Sequence, residues 1–298
     1  MVETYEDGWA WSLAISATVR QVAVMVDGAT TRTTRGPTIG HAYTAELAKT
    51  RRLQALSDGA ALEQVWACDA SLYSANAFAG PQFLLAGDAG ACIDPLSSFG
   101  VKKALASAWL AAVALHTSLV DPGRRAVALD FFSTREREVY AADLARTRAF
   151  AQRAFAHHGH AFWAERASRA TDDTAAGPED RLLSSPAVLA AHAQLREASS
   201  IQLRWNAGVT LVKRPLVRGR EIVLEDAVPF GAAALRYAHG VDLIALGDSA
   251  AHHRHVPDAY DEYCRIHGVV ELPLFLAALS LLLAERILVT RDVSVAAS

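Results

Sequence analysis

The chain has 298 residues, 52% of them hydrophobic and 20% charged, with a formal net charge of -3. That is enough apolar material for one large domain or two ordinary ones, and the near-neutral balance gives no electrostatic footprint for a nucleic-acid partner. Cys68, Cys92 and Cys264 are too few and too far apart for a zinc ribbon or a disulfide framework, so a reducing, cytoplasmic setting is expected. Residues Met1 to Asp7 are acidic and polar, unlike a secretory leader. The most apolar run, Leu272 to Leu283, is followed by Glu285-Arg286 and falls short of the roughly 20 residues that cross a bilayer; it reads as a buried helix, with no membrane partner.

In chain order, residues 9–27 hold Trp9, Trp11, Leu13 and Ile15, then Val19, Val22, Val24 and Val26, which predicts two strands joined near Ser16–Thr18. A sheet this close to the start needs partners, and the expectation is that they lie upstream, the chain being a fragment of a longer protein. Thr38 to Ser57 reads as a helix. Phe83 to Ala86 is a short apolar strand closed by Gly87-Asp88, followed by a loop with Asp94-Pro95 and a helix from about Gly100 to Leu119 that Pro122-Gly123 breaks. Residues 126–169 predict one long helix or two in series. Residues 171–186, with Asp172, Asp173, Glu179, Gly177-Pro178 and Pro186, predict a linker between a first domain, 1–170, and a small, mainly helical, winged-helix-like domain, 187–298. The latter holds a helix near Val188–Ser199, a hairpin of Val209–Val217 and Glu221–Val228 around Arg218-Gly219-Arg220, and short helices.

The segment around Gly87-Asp88 has the most chemical content. A glycine lets the backbone approach a ligand, and a carboxylate at a strand's C-terminal end can accept a hydrogen bond from a sugar or polyol hydroxyl. The helix starting near Gly100 aims unpaired N–H groups at the same crevice, and Lys102 and Lys103 in its first turn oppose the helix dipole unless a negative group is close. A second Gly-Asp, Gly247-Asp248, is followed by His252, His253, Arg254 and His255 without an Asp-Pro, and reads as structural. Trp9 and Trp11, two apart, share one side of a strand, where they can form a platform for an aromatic substrate or pack the sheet on a helix. Two histidine groups, His157, His158 and His160, and His252, His253 and His255, lack the HExxH spacing or a convergent carboxylate, so no metal is expected. Cys92 reads as a core residue.

Gly80 to Ala89, then Ile93-Asp94-Pro95-Leu96-Ser97-Ser98-Phe99-Gly100-Val101-Lys102-Lys103-Ala104-Leu105, resembles the second FAD-binding segment of flavin-dependent monooxygenases and tryptophan-halogenase-like proteins. The resemblance runs from about Gly8 to about Phe155. It implies an α/β, helix-rich, partial FAD-binding Rossmann-like fold with part of a substrate-side sheet. By it, Gly87 and Asp88 would approach the ribityl chain of FAD, Asp94 and Pro95 would line the flavin, Ser97 and Ser98 would lie in the loop that neighbours a halide in halogenases, and Gly100, Val101 and Lys102 would face the pyrimidine end of the ring. Trp9 and Trp11 would meet the substrate. The implied activity is hydroxylation of a small aromatic or peptidyl-tryptophan-like substrate through a flavin C4a-hydroperoxide, with NAD(P)H or a reductase supplying electrons. The alternatives are a halogenase-like enzyme or a non-catalytic interaction module. The family's Gly-x-Gly-x-x-Gly turn is absent, since no two glycines are two residues apart, and the halogenase Trp-x-Trp-x-Ile-Pro run survives only as Trp9-Ala10-Trp11-Ser12-Leu13-Ala14, which favours hydroxylation over halogenation.

Overall fold

The computed structural model describes residues 1–28, 38–168, 178–197 and 200–290. Strands β1 (Val2–Tyr5), β2 (Gly8–Ala14) and β3 (Arg20–Val26) form an antiparallel meander, followed by helices α1 (Ile39–Leu47) and α2 (Arg52–Ser57). Short strands β4 (Tyr73–Ser74), β5 (Ala79–Gly80), β6 (Phe83–Leu84) and β7 (Ala91–Cys92) come next, then helices α3 (Gly100–Val120), α4 (Arg125–His158) and α5 (Ala161–Ser168). The rest comprises α6 (Pro178–Leu183), α7 (Pro186–Glu197), β8 (Leu203–Trp205), β9 (Val212–Arg218), β10 (Glu221–Phe230), β11 (Ala233–Leu235), β12 (Tyr237–Ala238), β13 (Val241–Asp242), α8 (Leu243–His252), α9 (Val256–His267), α10 (Leu272–Ala284) and β14 (Leu288–Thr290). The class is α/β and helix-rich.

The chain divides into two compact units that interleave in sequence: 1–76, 86–106 and 139–175 form the first, and 77–85, 107–138 and 176–298 the second. In the first, side-chain alternation along β2 buries both faces of the sheet. Trp9 packs with Ala151 of α4 and Phe162 and Trp163 of α5, whereas Ala10 packs with Tyr5 and Leu53 of α2. Polar contacts fix these layers. The Glu3 carboxylate accepts the N–H groups of Arg51, Arg52 and Leu53 at 2.8–3.1 Å and so caps α2 from the neighbouring sheet. The Trp163 indole donates to the Tyr5 carbonyl at 2.9 Å, and His158 Nε2 lies 3.0 Å from Thr4 Oγ1.

The second unit is built on α10, whose Phe275, Leu279, Leu281 and Leu282 are fully buried with Val188 and Leu195 of α7, Leu243 and Leu246 of α8, and Val228 of β10. Asp242 starts α8 by accepting from Ile244 and Ala245 N–H while pairing with Arg236 at 2.6 Å. The β9–β10 hairpin is tied to helix α3 where the Ile222 N–H donates to Thr117 Oγ1 at 2.8 Å, and to the following turn where Arg124 pairs with Glu221 at 2.9 Å.

The fold departs from the sequence reading in several places. The opening sheet has three strands, because β1 is short and polar yet pairs along its whole length with β2. The helix expected over Thr38–Ser57 is two, interrupted at residues 48–51, where the Ala48, Lys49 and Thr50 N–H groups close the end of α1 and the Glu3 carboxylate starts α2 afresh. The strand expected to reach Ala86 stops at Leu84, since β6 pairs only with β5 among the described residues. Residues 171–177 of the expected linker lie outside the described residues; from Pro178 the chain is helical, with Leu182 and Leu183 packed on the second core. The apolar content of that stretch outweighs its prolines, which sit at helix starts, where a missing N–H costs nothing. The expected winged-helix-like domain is instead part of a larger unit that also takes in 77–85 and 107–138.

Candidate functional site

The backbone turns sharply at Gly87, which has φ +61°; a Cβ there would lie 3.1 Å from the Ala104 side chain and 3.3 Å from its Cα. Glycine is required on both counts, and the turn brings Asp88 beside the start of α3. The Asp88 side chain is 68% exposed, yet its Oδ1 lies 3.2 Å from the ammonium of Lys103, which is only 4% exposed. Lys103 also donates to the Ala91 carbonyl, and the Tyr73 hydroxyl to the Asp88 carbonyl. The carboxylate is thus held at one oxygen and open to solvent, with acceptor capacity to spare.

The loop that follows folds on its own polar groups. Asp94 is buried and accepts from the Leu96 N–H at 2.9 Å, Pro95 opens a single 3-10 turn, and Ser97 donates to the Asp94 carbonyl at 2.8 Å and accepts from the Phe99 N–H at 3.4 Å. Ser98 closes that turn in the left-handed region, φ 56°. The result is that α3 begins at Gly100 with open space where a Cβ would be. Its first N–H groups have no acceptor within the helix. Val101 and Lys102 are exposed, with Lys102 Nζ 5.3 Å from the Phe99 ring centroid and the Arg146 guanidinium carbon 4.4 Å from it. Arg146 pairs at 2.5 Å with the buried Asp143; burial holds that carboxyl above the ordinary range, although Arg146 and Lys103 both pull it down.

The structure therefore brings Gly87, Asp88, Asp94, Pro95, Ser97, Ser98, Gly100, Val101 and Lys102 together around the first turn of α3, with unequal roles. Asp94 and Ser97 are engaged in shaping the loop, whereas Asp88 and the backbone at Gly100–Val101 are accessible. Of the two lysines, Lys103 rather than Lys102 holds Asp88. Sequence reasoning also missed Tyr73, Asp143 and Arg146. No local motif flags Tyr73, and the helix pair Asp143–Arg146 reads as an ordinary i, i+3 surface pair.

Trp9 is 2% exposed inside the sheet–helix core; Trp11 is partly buried against the same cluster, as is Leu96 of the loop. The packing alternative accounts for Trp9, which presents no open face to a substrate. Cys92 Sγ donates weakly to the Ile93 carbonyl at 3.8 Å, and burial, then Asp88, push its thiol up, which disfavours the thiolate. Gly247-Asp248 lies inside α8, with Gly247 against the Trp205 ring and Asp248 accepting from the Trp205 indole at 2.8 Å. His160 starts α5 by accepting from the Phe162 N–H, His252 bonds the Asp248 carbonyl, and His253 pairs with Glu262 at 2.9 Å. Among the described residues, no three His, Cys, Asp or Glu side chains are grouped to hold a metal ion.

No family model matches the chain. A stretch of 47 residues, 16% of the chain, is 51% identical to the flavin-dependent halogenase gsfI of Penicillium aethiopicum, and a stretch of equal length and identity matches the flavin-dependent halogenase rdc2 of Metacordyceps chlamydosporia; each match spans 9% of the relative. The chain superposes over 97% of its length on the crystal structure of CmlS, a flavin-dependent halogenase, with a TM-score of 0.64 and 19% identity. It superposes over 95% of its length on the peptidyl tryptophan dihydroxylase QhpG, with a TM-score of 0.59 and 21% identity. It covers 59% of each of those chains. The fold is therefore the one shared by parts of the flavin-dependent halogenase CmlS and the dihydroxylase QhpG, in keeping with the resemblance at residues 80–105.

Proposed function

We propose that the chain is the substrate-side part of an FAD-dependent oxidoreductase that hydroxylates an aromatic or tryptophan-like substrate. The observation that carries the reading is the exposed Asp88 carboxylate, anchored by buried Lys103, beside an α3 whose first turn is open at Gly100. These residues fit the group. Asp88 would accept from a ribityl hydroxyl, and the N–H groups at Gly100 and Val101, at the positive end of the helix dipole, would donate to flavin carbonyl oxygens. When bound, the flavin supplies the oxygen-activating chemistry.

This chain's own residues bind, orient and exclude water. Lys103 and Tyr73 fix the carboxylate's turn, the Asp94–Ser98 turn sets where α3 begins, and Leu96 with Trp11 gives the loop an apolar flank on which an aromatic ring can rest. Lys102, exposed beside the Phe99 ring, would add a cation at the same helix start. Electrons come from NAD(P)H or a separate reductase. The departures at Leu13 and Ala14 from the halogenase tryptophan run, and the likeness to a dihydroxylase, support hydroxylation. A halogenase-like activity is the second reading, supported by the likeness to CmlS.

The test is a titration of the purified chain with FAD, followed by quenching of flavin fluorescence. Saturable quenching is expected, with affinity falling roughly 10- to 100-fold in Asp88→Ala, the loss of one charge-assisted hydrogen bond of about 1.5–3 kcal/mol. Equal affinity in the two proteins refutes the placement. Product mass separates the chemistries, since hydroxylation adds an oxygen atom and halogenation replaces a hydrogen with chlorine or bromine.

A further inference from the structure

The second unit holds a feature that the flavin reading does not use. An open cavity of about 350 Å³ lies along helix α8 and the C-terminal half of α9, within the volume range of small-molecule sites. It gathers residues of the second Gly-Asp and of the histidine run after it. Asp248 and His252 share a face of α8, four residues apart, and Glu262 and Ile266 come from α9.

The wall is built to accept hydrogen bonds. Gly247 leaves room for the Trp205 ring against α8, and the Trp205 indole donates to Asp248 Oδ1 at 2.8 Å, which positions the carboxylate and leaves its other oxygen open. His252 Nδ1–H donates to the Asp248 carbonyl at 2.7 Å, so the neutral ring presents Nε2 as an acceptor. Glu262 accepts from His253 at 2.9 Å on one oxygen, while the other has the exposed Arg265 no nearer than 3.9 Å. Arg236, the cation on this wall, is committed elsewhere: its Nε and Nη2 donate to Asp242 and its Nη1 to the Asp226 carbonyl. The charge left over is that of Asp248 and Glu262. Ser249 gives an independent sign that a ligand group belongs here. It is 5% exposed and lines the cavity, and its hydroxyl has no hydrogen-bond partner among the described residues, a loss of about 1–3 kcal/mol for a buried polar group.

We infer that this cavity binds a small organic ammonium compound, a primary amine carried on an aryl or alkyl body. A primary ammonium has three donors and no acceptor, which matches two carboxylates, an imidazole nitrogen and a hydroxyl. The apolar strip of Ile244, Ala245 and Ile266 takes the body. An anion of the same shape meets repulsion from both carboxylates, and a neutral alcohol desolvates them without compensation. The inference is independent of the flavin reading, which uses none of these residues.

The test is calorimetric titration of the full chain with 2-phenylethylamine in phosphate buffer at about pH 8, above the ordinary histidine range, with 2-phenylethanol and 3-phenylpropionate as neutral and anionic counterparts. Saturable binding of the amine is expected, at least about 10-fold tighter than that of either counterpart. Asp248→Asn and Glu262→Gln keep the acceptors that Trp205 and His253 use, and each should weaken the amine by about 10-fold or more, with Ser249→Ala costing about 2- to 10-fold. Glu285→Gln, exposed at the end of α10, should leave the affinity unchanged. An absence of saturable binding, equal affinity for the alcohol, or an affinity unchanged in both carboxylate variants overturns the inference. The three compounds compared on the unaltered chain decide the matter even where a variant fails to fold.

Discussion

Asp88→Ala and Lys103→Met remove the same ion pair, and the structure predicts that they do not cost the same. Lys103 is 4% exposed and Asp88 68% exposed, at 3.2 Å. In Asp88→Ala the ammonium stays buried, hydrogen-bonded to the Ala91 carbonyl and within the electrostatic reach of Asp143; a stranded buried charge costs roughly 3–5 kcal/mol when no water can enter, and less where a second carboxylate is near and the vacated side lies open, as here. In Lys103→Met the stranded group is a carboxylate that water already solvates, so the loss is that of a surface pair, about 0–1 kcal/mol, plus about 1 kcal/mol for the orphaned carbonyl, while methionine keeps the packed volume. Asp88→Asn retains an acceptor and should fall near Lys103→Met. Urea unfolding of the full chain, read by tryptophan fluorescence because Trp9 and Trp163 lie in the core of the same unit, measures all three. Should Lys103→Met prove as destabilising as Asp88→Ala, the premise that the buried partner carries the penalty is wrong. The ordering also matters for the FAD titration: Asp88→Asn is the variant that separates lost ligand contact from lost fold.

Further outcomes follow from other residues. Glu3 is held below the usual carboxylate range, because three N–H donors and Arg52 outweigh a burial effect that by itself would raise it; its contribution is complete above the unfolded value of about 4.3 and is lost as pH falls through the lower folded value, so Glu3→Gln should flatten the acid limb of stability. Tyr5 moves the other way: burial first, then Glu46 and Asp7, push its phenol well above the usual range. Its contribution is therefore complete below about pH 10 and declines as pH rises beyond it, and Tyr5→Phe should remove that alkaline loss in a pH series of urea midpoints. Thr117→Val should cost about 1–3 kcal/mol by stranding the buried Ile222 N–H, while Thr117→Ser, which keeps the hydroxyl, should stay close to the original in thermal melts.

What could be read without coordinates was what depends on local chemistry. Gly87, the Asp94-Pro95 turn, the break at Pro122-Gly123 and the hairpin around Gly219 each follow from one residue's backbone limits, and each is where it was expected. What failed depends on partners distant in sequence. The start of α2 is set by Glu3, some fifty residues away, so no window over 38–57 could divide that helix correctly. The α3 phase misleads for a different reason: hydrophobic periodicity points the apolar stripe inward, while the structure buries the stripe with Lys103 and Thr117, whose polar groups are satisfied by a carboxylate and a backbone N–H. Lys102 and Lys103 are indistinguishable in composition, and only the direction of the helix separates them.

The interleaving of the two units bears on how such a protein can be cut and rearranged. A break after residue 170, which looks in the sequence like a seam between modules, would leave Thr117 on one piece and Ile222 on the other, and likewise Arg124 and Glu221. The second core itself, Leu182 to Leu288, would stay on one piece, but the ties that hold the hairpin to α3 and to the turn after it would be shared between the two. A protease nick there should leave two fragments that co-elute under native conditions and part only in denaturant. For the same reason, recombination at that junction would leave the buried Ile222 N–H facing a helix chosen for another partner, so this stretch of the gene is a poor crossover point.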